Sequence, residues 1–569
     1  MKINIPVGRS GFADIRKNGY YYVDKSGLIK ELLRTDATQV TLITRPRRFG
    51  KTLGMSMLSE FFDIRKDSSD LFDGLAIAAD RELCSSWMNQ YPTLFLSFKS
   101  VDGMDFAEAY AMLQAEIARV CKNHLYLLDS DQVNTFDKEI FVKLAGKQAS
   151  KEEVKNALYD LTRMLLAHFK KPVVLLMDEY DVPLAKAGEK GYYAQMLDVV
   201  KGVMQVIKDN DALKFAVITG CLRIAKESIF TGTNNFVSDT ISDTRLNEYF
   251  GFTQVETDKI LQHTGLTAHA AEIRAWYDGY RFGAFDVYCP WDVMNYVKDL
   301  LLDAEKKPEG YWKNCSDNAI IRSFIDHSGD MVTKKLEKLL AGEYVIQKID
   351  QDLTYDVLYL TEDHLWSILY LTGYLTGIRD HEPARKLPEG SLALKIPNAE
   401  IREIFESTVM KWFEESIRSW DRQALFACIW KGDTKQAAAE MTKLLRKTIS
   451  YHDYKEDFYH AFLAGIFAGA GFMVESNREH GEGRSDIIVQ DYAGDRAAVF
   501  EVKYSKTAAA LETDCDRAIA QMDDRMYAQQ LEEDYSQVIC YGISFYKKKC
   551  LLKKKFAAVL SSNACKERS

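Results

Sequence analysis

Short apolar runs alternate with amphipathic helical segments over the first 250 residues of the chain. Apolar residues recur at helical spacing in Leu53 to Phe62 and again in Tyr193 to Lys208. Four other runs have the length and composition of buried strands, namely Val40 to Thr44, Thr93 to Phe98, Val173 to Met177 and Phe215 to Thr219. This alternation predicts a largely parallel sheet whose strands are joined by crossover helices.

The pattern changes after Tyr280. From about Pro290 to Ser450 the chain is mostly helical, and a strand at Leu392 to Ile396 that leads into a helix at Glu400 to Phe413 predicts a winged-helix-like unit. A third segment begins at about Tyr451 and reads as helix, strand, hairpin, strand, helix and two more strands, which indicates a separate α/β unit. We therefore predict an α/β multidomain protein with domains at residues 1–285, 286–450 and 451–569.

Composition and charge narrow the class of protein. The 569 residues are 47% hydrophobic and 28% charged, which is typical of packed globular domains. The net charge of −9 means that contact with nucleic acid requires a local basic patch. The ten cysteines include no C-x-x-C pair, and no apolar run reaches the length of a membrane span. We expect reduced cysteines, no membrane partner and a cytoplasmic location.

A candidate phosphate-binding loop lies between the first strand and the first long helix. Its sequence is Arg45-Pro46-Arg47-Arg48-Phe49-Gly50-Lys51-Thr52. Backbone N–H groups of Arg48, Phe49 and Gly50 would hold phosphate oxygens, Lys51 would neutralise the outer phosphates, and the Thr52 hydroxyl would ligate Mg²⁺. The usual pattern begins with glycine where this chain has arginine. An ordinary strand-to-helix turn with a basic cluster is the alternative interpretation.

Polar residues follow two of the later apolar strands. Asp178 and Glu179 come after Val173 to Met177, and Thr219 closes Phe215 to Thr219. Parallel strands deliver such residues to the carboxyl edge of the sheet, where ligands of open α/β folds bind. Asp178 would hold Mg²⁺ through water, Glu179 would orient or deprotonate the attacking water, and Thr219 would sense the γ-phosphate. Three strand ends with this chemistry favour a nucleotide site.

Other basic residues keep two interpretations each. Arg223, four residues beyond Thr219, could reach the nucleotide or a neighbouring subunit as an arginine finger, or it could form a surface ion pair. The lysine runs Lys547 to Lys549 and Lys553 to Lys555 favour a solvated terminal hairpin over dedicated nucleic-acid recognition, although they could supply phosphate contacts.

A second constellation lies near the C-terminus. Gly483 to Val489 and Ala497 to Lys503 are predicted strands joined by a hairpin turn, and alternation places Glu501 and Lys503 on one face. The hairpin can bring Asp486 beside Glu501. Two neighbouring carboxylates are costly unless a divalent cation neutralises them, so the pair predicts a Mg²⁺ or Mn²⁺ site. Lys503 would activate water or stabilise charge on a scissile phosphate.

Four motifs carry a family resemblance. They are Y-Y-Y-V-D-K at residues 20–25, R-P-R-R-F-G-K-T at residues 45–52, W-Y-D-G-Y at residues 276–280 and L-K-I-P-N at residues 394–398. Together they resemble the predicted AAA-ATPase-like proteins of bacteria and archaea that carry a C-terminal PD-(D/E)XK nuclease domain. In that family arginine replaces the first glycine of the loop. The resemblance implies a P-loop NTPase domain, a restriction-endonuclease-like domain, ATP and Mg²⁺.

The same resemblance assigns further residues of the nuclease half. Glu456 looks like the acidic residue of the first helix, Asp486 like the second-motif aspartate, and Glu501 with Lys503 like the E-x-K motif. Gln521 matches a helix position where the superfamily often places a glutamine near the metal. The alternative interpretation is a salt-bridged sheet edge, with Gln521 as a surface amide.

The combined expectation is an ATP-binding and ATP-hydrolysing protein whose metal-dependent nuclease cleaves nucleic-acid phosphodiester bonds under nucleotide control. We expect nucleic acid as the partner, DNA before RNA, and count a homo-oligomer among the possibilities. A second hypothesis is a STAND-type signalling or scaffold protein whose nuclease-like domain only binds. A third and weaker one is a DNA-transaction enzyme of mobile elements.

Overall fold

The computed structural model describes residues 3–34, 38–224, 229–230, 236–312, 321, 330–353, 361–378, 387–408, 423–447, 456–468, 471–476, 479–480, 483–484, 487–524 and 527–555. The chain forms two compact units. The first comprises Met1–Phe324 and Tyr344–Ile404, and the second comprises Ile325–Glu343 and Phe405–Ser569. Residues of the predicted middle domain fall into both units, and the three-domain division stays a prediction.

The strands, in chain order, are β1 (Val40–Thr44), β2 (Thr93–Ser97), β3 (Val173–Asp178), β4 (Leu213–Gly220), β5 (Phe236–Asp239), β6 (Tyr280–Phe282), β7 (Phe285–Val287), β8 (Val345–Lys348), β9 (Thr376–Gly377), β10 (Ser391–Lys395), β11 (Met473–Ser476), β12 (Glu479–His480), β13 (Gly483–Arg484), β14 (Ile487–Asp491), β15 (Arg496–Tyr504), β16 (Gln537–Tyr546) and β17 (Lys549–Lys554).

The helices are α1 (Phe12–Lys17), α2 (Gly27–Leu32), α3 (Lys51–Phe62), α4 (Ser69–Phe72), α5 (Arg81–Trp87), α6 (Phe106–Lys122), α7 (Thr135–Ala145), α8 (Lys151–Phe169), α9 (Val182–Lys190), α10 (Tyr193–Met204), α11 (Gln254–Thr264), α12 (Ala270–Tyr277), α13 (Pro290–Leu300), α14 (Asp330–Leu340), α15 (Glu362–Leu371), α16 (Gln423–Lys431), α17 (Thr434–Lys447), α18 (Glu456–Ala468), α19 (Leu511–Asp524) and α20 (Tyr527–Asp534). Within the described ranges, no helix combines the length and apolar composition needed to cross a membrane.

The first unit is built on a five-stranded sheet in the order β2-β3-β4-β1-β5. Every neighbouring pair in this sheet is parallel. The predicted parallel sheet with crossover helices is therefore confirmed, and β1 has the predicted bounds. The predicted helix over Tyr193 to Lys208 instead ends at Met204 and continues as a 3₁₀ turn to Ile207.

The sheet is covered on both faces, which explains its continuous apolar runs. In β3, Val173, Leu175 and Met177 pack into the cluster formed with α6, α8 and α10. The alternate residues Val174 and Leu176 pack into the opposite cluster, which contains α3. Because both faces are covered, ligands can reach this sheet only at its strand ends. Helix α3 lies beside one of those ends.

The later part of the first unit contains the predicted strand at 392–396, observed as β10. It joins an antiparallel sheet in the order β8-β10-β9. Helix α15 precedes β9 and is capped by Thr361, whose hydroxyl accepts a hydrogen bond from the backbone N–H of His364. Residues 399–408 are helical, and the rest of the helix predicted to Phe413 lies outside the described residues.

The second unit has a five-stranded mixed sheet in the order β11-β14-β15-β16-β17. Only β15 and β16 run parallel in it, and the other neighbours are antiparallel. The predicted α/β unit with a central hairpin is confirmed. Of the strand predicted over residues 483–489, Gly483–Arg484 pairs with Glu479–His480 and β14 begins at Ile487, while residues 485 and 486 lie outside the described residues.

Candidate functional site

Two residues of the loop between β1 and α3 have a left-handed backbone conformation. Arg48 has φ 73° and Gly50 has φ 87°. A β-carbon at Gly50 would meet no atom within 4 Å, so glycine is favoured there by its backbone conformation rather than by lack of space. Helix α3 starts at the next residue, Lys51. The first N–H groups of a helix therefore face the loop, which is the arrangement that binds phosphate.

Lys51 is almost fully buried over this loop. Its ammonium donates to the carbonyl oxygens of Arg45 at 2.9 Å and Pro46 at 3.1 Å, and lies 3.4 Å from Glu179 Oε1. Burial alone would lower the pKa of Lys51, but nearby ionisable groups, led by Cys221 and Glu179, raise it above the ordinary value. The site thus keeps a positive charge at neutral pH where the outer phosphates of a nucleotide would lie.

Asp178 joins three secondary-structure elements through its carboxylate. Thr52 Oγ1, from α3, donates to Asp178 Oδ2 at 3.0 Å. Thr219 Oγ1, from β4, donates to Asp178 Oδ1 at 2.7 Å. Burial raises the pKa of the Asp178 carboxyl, and the hydrogen bonds from Thr219 and Thr52 counteract part of that rise. The structure therefore brings together three of the predicted site residues.

The donor set of this cluster fits a magnesium ion. A carboxylate and a hydroxyl at 3.0 Å from one another are hard oxygen ligands, and Mg²⁺ in phosphate sites takes one or two such protein ligands and keeps several waters. Thr52 and Asp178 are the residues that would hold it.

Glu179 has a left-handed backbone with φ 55°, which a non-glycine residue rarely adopts. Its backbone N–H donates to Thr219 Oγ1 at 3.3 Å, and its side chain lies beside Lys51 with 15% of its surface exposed. Strained backbone of this kind concentrates at functional sites. The partly exposed carboxylate is available to a water molecule, unlike Asp178, whose side chain is closed off.

Sequence reasoning missed Asp181, which fixes the segment after β4. Its Oδ2 accepts hydrogen bonds from the N–H groups of Cys221 at 2.9 Å and Leu222 at 3.0 Å. A β-carbon at Gly220 would lie 2.7 Å from Asp181 Oδ1, so this approach requires glycine. Asp181 is the third acid of the run D-E-Y-D, which signals a polar strand end without indicating its hydrogen-bond partners.

Sequence reasoning also missed the role of Arg45, which takes the place of the first glycine. Its guanidinium is fully buried and donates to the Asp239 carboxylate at 2.5 Å and to Asn247 Oδ1 at 2.8 Å. It also donates to the carbonyls of Thr44 at 2.8 Å and Asp239 at 2.9 Å. Burial lowers the pKa of Arg45 and the Asp239 charge opposes that change. Arg45 therefore anchors the loop to the end of β5.

The side chains of Phe49 and Arg48 do not belong to the cluster around Asp178. The Phe49 ring is buried between Tyr280, at 4.9 Å, and Phe282, at 5.0 Å, measured between ring centroids. The Arg48 guanidinium lies over the Trp291 ring at 4.2 Å. A contact of either residue with a nucleotide would therefore use the backbone N–H, as the prediction for this loop states.

Arg223 lies outside the cluster as well. Its Nε is 3.3 Å from Asp352 Oδ1, and both side chains are partly exposed. This contact agrees with the surface ion pair that the sequence offered for Arg223 as the alternative to an arginine finger. Exposed pairs of this kind contribute about 1 kcal/mol or less to stability.

In the second unit, Glu501 and Lys503 share one face of β15. Lys503 Nζ lies 3.3 Å from Glu501 Oε1, and the Glu501 side chain is 1% exposed. Phe500 and Val502, the residues on either side of Glu501, point to the opposite face, where they pack with α18. Val499, on the Glu501 face, packs with Met522 of α19. The predicted pairing of carboxylate and amine on one face is what the structure has.

The structure describes only some of the remaining candidate residues of the nuclease site. Asp486 lies outside the described residues. Glu456 is the first residue of α18, a helix that packs on the face opposite to Glu501, as the contact of Phe467 with Phe500 shows. Gln521 lies in α19, on the Glu501 side of the sheet, and is half-buried. Among the side chains that the structure describes, no three His, Cys, Asp or Glu groups cluster to hold a metal.

Comparison with known protein families matches one segment near each end of the chain. Residues 6–230 match the family described as predicted AAA-ATPase, and residues 454–555 match the PD-(D/E)XK nuclease superfamily. The chain thus has an AAA-ATPase-like domain towards its N-terminus and a PD-(D/E)XK nuclease domain towards its C-terminus. This confirms the resemblance seen in the sequence motifs.

Individual proteins that resemble the chain share low sequence identity with it. An uncharacterized protein in the vnfD 5′ region of Azotobacter chroococcum mcd 1 is 25% identical over 554 residues, which are 95% of this chain and 96% of that protein. A solved structure of the Aeropyrum pernix ORC2 protein, in ADPNP-ADP complexes, covers 72% of this chain and 96% of its own with 11% identity and a TM-score of 0.23. A likeness at that score supports no conclusion about this protein.

Proposed function

We propose that the protein binds and hydrolyses ATP at the Lys51 loop and cleaves nucleic-acid phosphodiester bonds, with a divalent metal, at the Glu501 site. The nucleotide state controls cleavage, and DNA is the preferred substrate. The two domain matches support the combination of activities. The free thiols of the described cysteines support a reducing, cytoplasmic setting. Magnesium is the metal at the ATP site, and magnesium or manganese serves the nuclease.

At the nucleotide site, backbone N–H groups at the start of α3 bind the phosphate oxygens and Lys51 neutralises the outer phosphates. Bound Mg²⁺ would neutralise negative charge on the phosphate oxygens. Thr52 and Asp178 hold that position, Glu179 orients the attacking water and accepts its proton, and Thr219 reports the γ-phosphate through its hydrogen bond to Asp178.

At the nuclease site, Asp486 and Glu501 are the carboxylates that would hold the divalent metal. Lys503 activates the attacking water or stabilises the charge that develops on the scissile phosphate. Gln521 contributes to the site from α19, and Glu456 contributes from the first residue of α18, the helix on the opposite face of the sheet. The pairing of the buried Glu501 carboxylate, 1% exposed, with the Lys503 ammonium at 3.3 Å supports this role.

The observation that carries the proposal is the pair of hydrogen bonds at Asp178. They tie the first turn of α3 to the carboxyl ends of β3 and β4, at 3.0 and 2.7 Å. An ordinary strand-to-helix turn gives no reason to bury a carboxylate between two hydroxyls beside a buried lysine. A site for a phosphate-bound metal does.

Two substitutions test the two activities separately. Lys51→Ala is expected to weaken ATP binding by roughly 10- to 150-fold, because a hydrogen bond to a charged phosphate is lost. Glu501→Gln is expected to leave ATP binding unchanged and to remove cleavage in Mg²⁺ or Mn²⁺. Titration with a fluorescent ATP analogue and a nicking assay measure both. Equal ATP affinity in the Lys51→Ala chain contradicts the nucleotide half of the proposal.

A second candidate is the STAND-type scaffold, in which the nuclease fold only binds. The helix and three-stranded antiparallel sheet of residues 345–395 favour it, since such a unit can report the state of an attached ATPase. The nicking assay separates the two candidates. Cleavage of no DNA or RNA with any divalent metal favours the scaffold.

A further inference from the structure

One face of the second sheet carries lysines beside the Glu501 site. Lys503 of β15 is paired in register with Ser544 of β16, and Tyr546 of β16 is paired with Lys549 of β17. Side chains at paired positions lie on the same face, and so do residues two apart on a strand. Glu501, Lys503, Tyr546 and Lys549 therefore project from one face. Two strand spacings, roughly 10 Å, separate β15 from β17.

The turn between β16 and β17 adds a further cation to this face. Lys547 begins the turn with φ 51°, and its ammonium lies 5.6 Å from the centroid of the Tyr546 ring. Its carbonyl accepts a hydrogen bond from the Tyr459 hydroxyl at 2.9 Å. Tyr459 belongs to α18 and stacks on Phe545 at 4.3 Å. The turn is thus fixed to the helix whose first residue is Glu456.

Two lysines at this turn, Lys547 and Lys549, have no acidic partner in the described structure. Lys547 and Lys549 are both exposed, and in the ranges described here no carboxylate oxygen lies within 4.0 Å of either ammonium. Lys553, farther along β17, differs because it is paired with Asp516 at 2.5 Å. In a chain of net charge −9, two uncompensated lysines beside an aromatic ring are a local cationic surface.

We propose that Tyr546, Lys547 and Lys549 form a phosphodiester-binding surface that holds a nucleic-acid strand beside Glu501. This proposal rests on the proposed nuclease function. The two ammonium groups neutralise backbone phosphates, and the half-buried Tyr546 ring offers a face on which a base stacks. Because the surface recognises phosphate charge and base stacking, it binds strands without sequence preference.

The test uses the full chain and a charge-matched pair of variants. Lys547→Gln/Lys549→Gln removes both cations, and Lys431→Gln/Lys435→Gln removes two exposed lysines from α16 and α17 of the same unit. Binding of fluorescent 20-nucleotide single-stranded DNA, duplex DNA and single-stranded RNA is measured in EDTA at several salt concentrations. Cleavage of the same probes is measured in Mg²⁺.

For single strands, the first variant is expected to reduce the slope of log affinity against log salt by roughly 1.4, which is about 25-fold in affinity at 0.1 M salt. The control variant keeps the wild-type slope. Comparison of the three probes shows whether DNA or RNA is held. An unchanged slope in the first variant, equal loss in the control, or no binding by the wild-type chain overturns the proposal.

The outcome separates this surface from the nuclease activity. Salt-dependent binding that is lost in the first variant, in a chain that cleaves nothing, supports the surface and contradicts the nuclease. Metal-dependent cleavage that is unaffected by the first variant supports the nuclease and contradicts the surface.

Discussion

Arg45 occupies the position where phosphate-binding loops usually have glycine, and its side chain points into the protein, away from the loop. The Phe250 and Phe282 rings lie 5.3 and 5.7 Å from its guanidinium carbon. Its carbonyl accepts a hydrogen bond from Lys51, so one residue holds both the loop and its lysine. The sequence could not predict this arrangement, because Asp239 lies 194 residues farther along the chain.

The buried pair of Arg45 and Asp239 gives a prediction about stability. Asp239→Ala leaves the guanidinium buried without its charged partner, so the free energy of unfolding is expected to fall by about 3–5 kcal/mol. Lys143→Ala breaks the exposed pair with Glu153 and is expected to cost about 1 kcal/mol or less. Denaturant titration measures both. Equal effects of the two substitutions contradict a structural role for Arg45.

Asp292 and Glu400 are both buried, and their carboxyl groups influence each other's ionisation. Glu400 Oε1 accepts the backbone N–H of Trp312 at 2.6 Å. Burial raises the pKa of both carboxyl groups, and the Asp292 charge raises that of Glu400 further. Because the folded state holds its protons to higher pH than the unfolded chain, this pair stabilises less as pH rises above about 4.5, the ordinary value for glutamate.

Glu400→Gln tests that pH dependence. Glutamine can accept from Trp312 and donate to Asp292 without titrating, so we expect the unfolding free energy of the variant to fall less between pH 5 and pH 9 than that of the wild type. Glu309→Gln, at a half-exposed site, is the matched control. Denaturant titrations at pH 5, 7 and 9 measure the difference. Parallel pH profiles for all three chains contradict a raised pKa of the Glu400 carboxyl.

At the scale of elements, helix α19 packs against β16 at Gly542. A β-carbon there would lie 2.9 Å from the Cys515 carbonyl oxygen and 2.9 Å from a side-chain carbon of Ile519. Gly542 is paired in register with Glu501, so α19 approaches the sheet beside the candidate metal ligand. The close approach fixes the distance between the Gln521 helix and the Glu501 face.

Gly542→Ala is expected to push α19 off the sheet and to destabilise the second unit by about 1–3 kcal/mol, because close-packed contacts resist added volume. Gly465→Ala is the control, since a β-carbon there meets nothing within 4 Å. In the interior of α18 this change is expected to stabilise by up to about 1 kcal/mol. Thermal unfolding measures both. A neutral Gly542→Ala contradicts the tight contact.

The elements themselves followed closely from the apolar pattern. Strand β1 has its predicted bounds, and β3 extends by one residue, Asp178, which is itself a site residue. Buried strands are predictable because an apolar run requires two covered faces. Partners such as Asp181 could not be predicted, because their role depends on which strand ends become neighbours in space.

At the scale of the whole molecule, the sequence predicted two chemistries in one chain, and both family matches agree with that expectation. At the candidate nucleotide site, the structure joins Lys51, Thr52, Asp178, Glu179 and Thr219 into one cluster. At the candidate nuclease site, it joins Glu501 with Lys503. The position of Asp486 relative to Glu501 stays a prediction.

Glu179→Gln separates ATP binding from hydrolysis. The amide keeps the size of the side chain and cannot accept a proton, so hydrolysis is expected to fall roughly 10²- to 10⁴-fold while ATP affinity is maintained. Phosphate release and analogue titration measure the two quantities. A variant that hydrolyses ATP at the wild-type rate contradicts the role of Glu179 as base.

The rate of nucleic-acid cleavage in Mg²⁺, with and without ATP, tests nucleotide control of the nuclease most directly. It is measured in the wild-type chain and in Lys51→Ala. We predict that ATP changes the rate in the wild type and leaves it unchanged in Lys51→Ala, while both chains keep the same rate without nucleotide. A wild-type rate that is indifferent to ATP, or an equal response in both chains, contradicts the account.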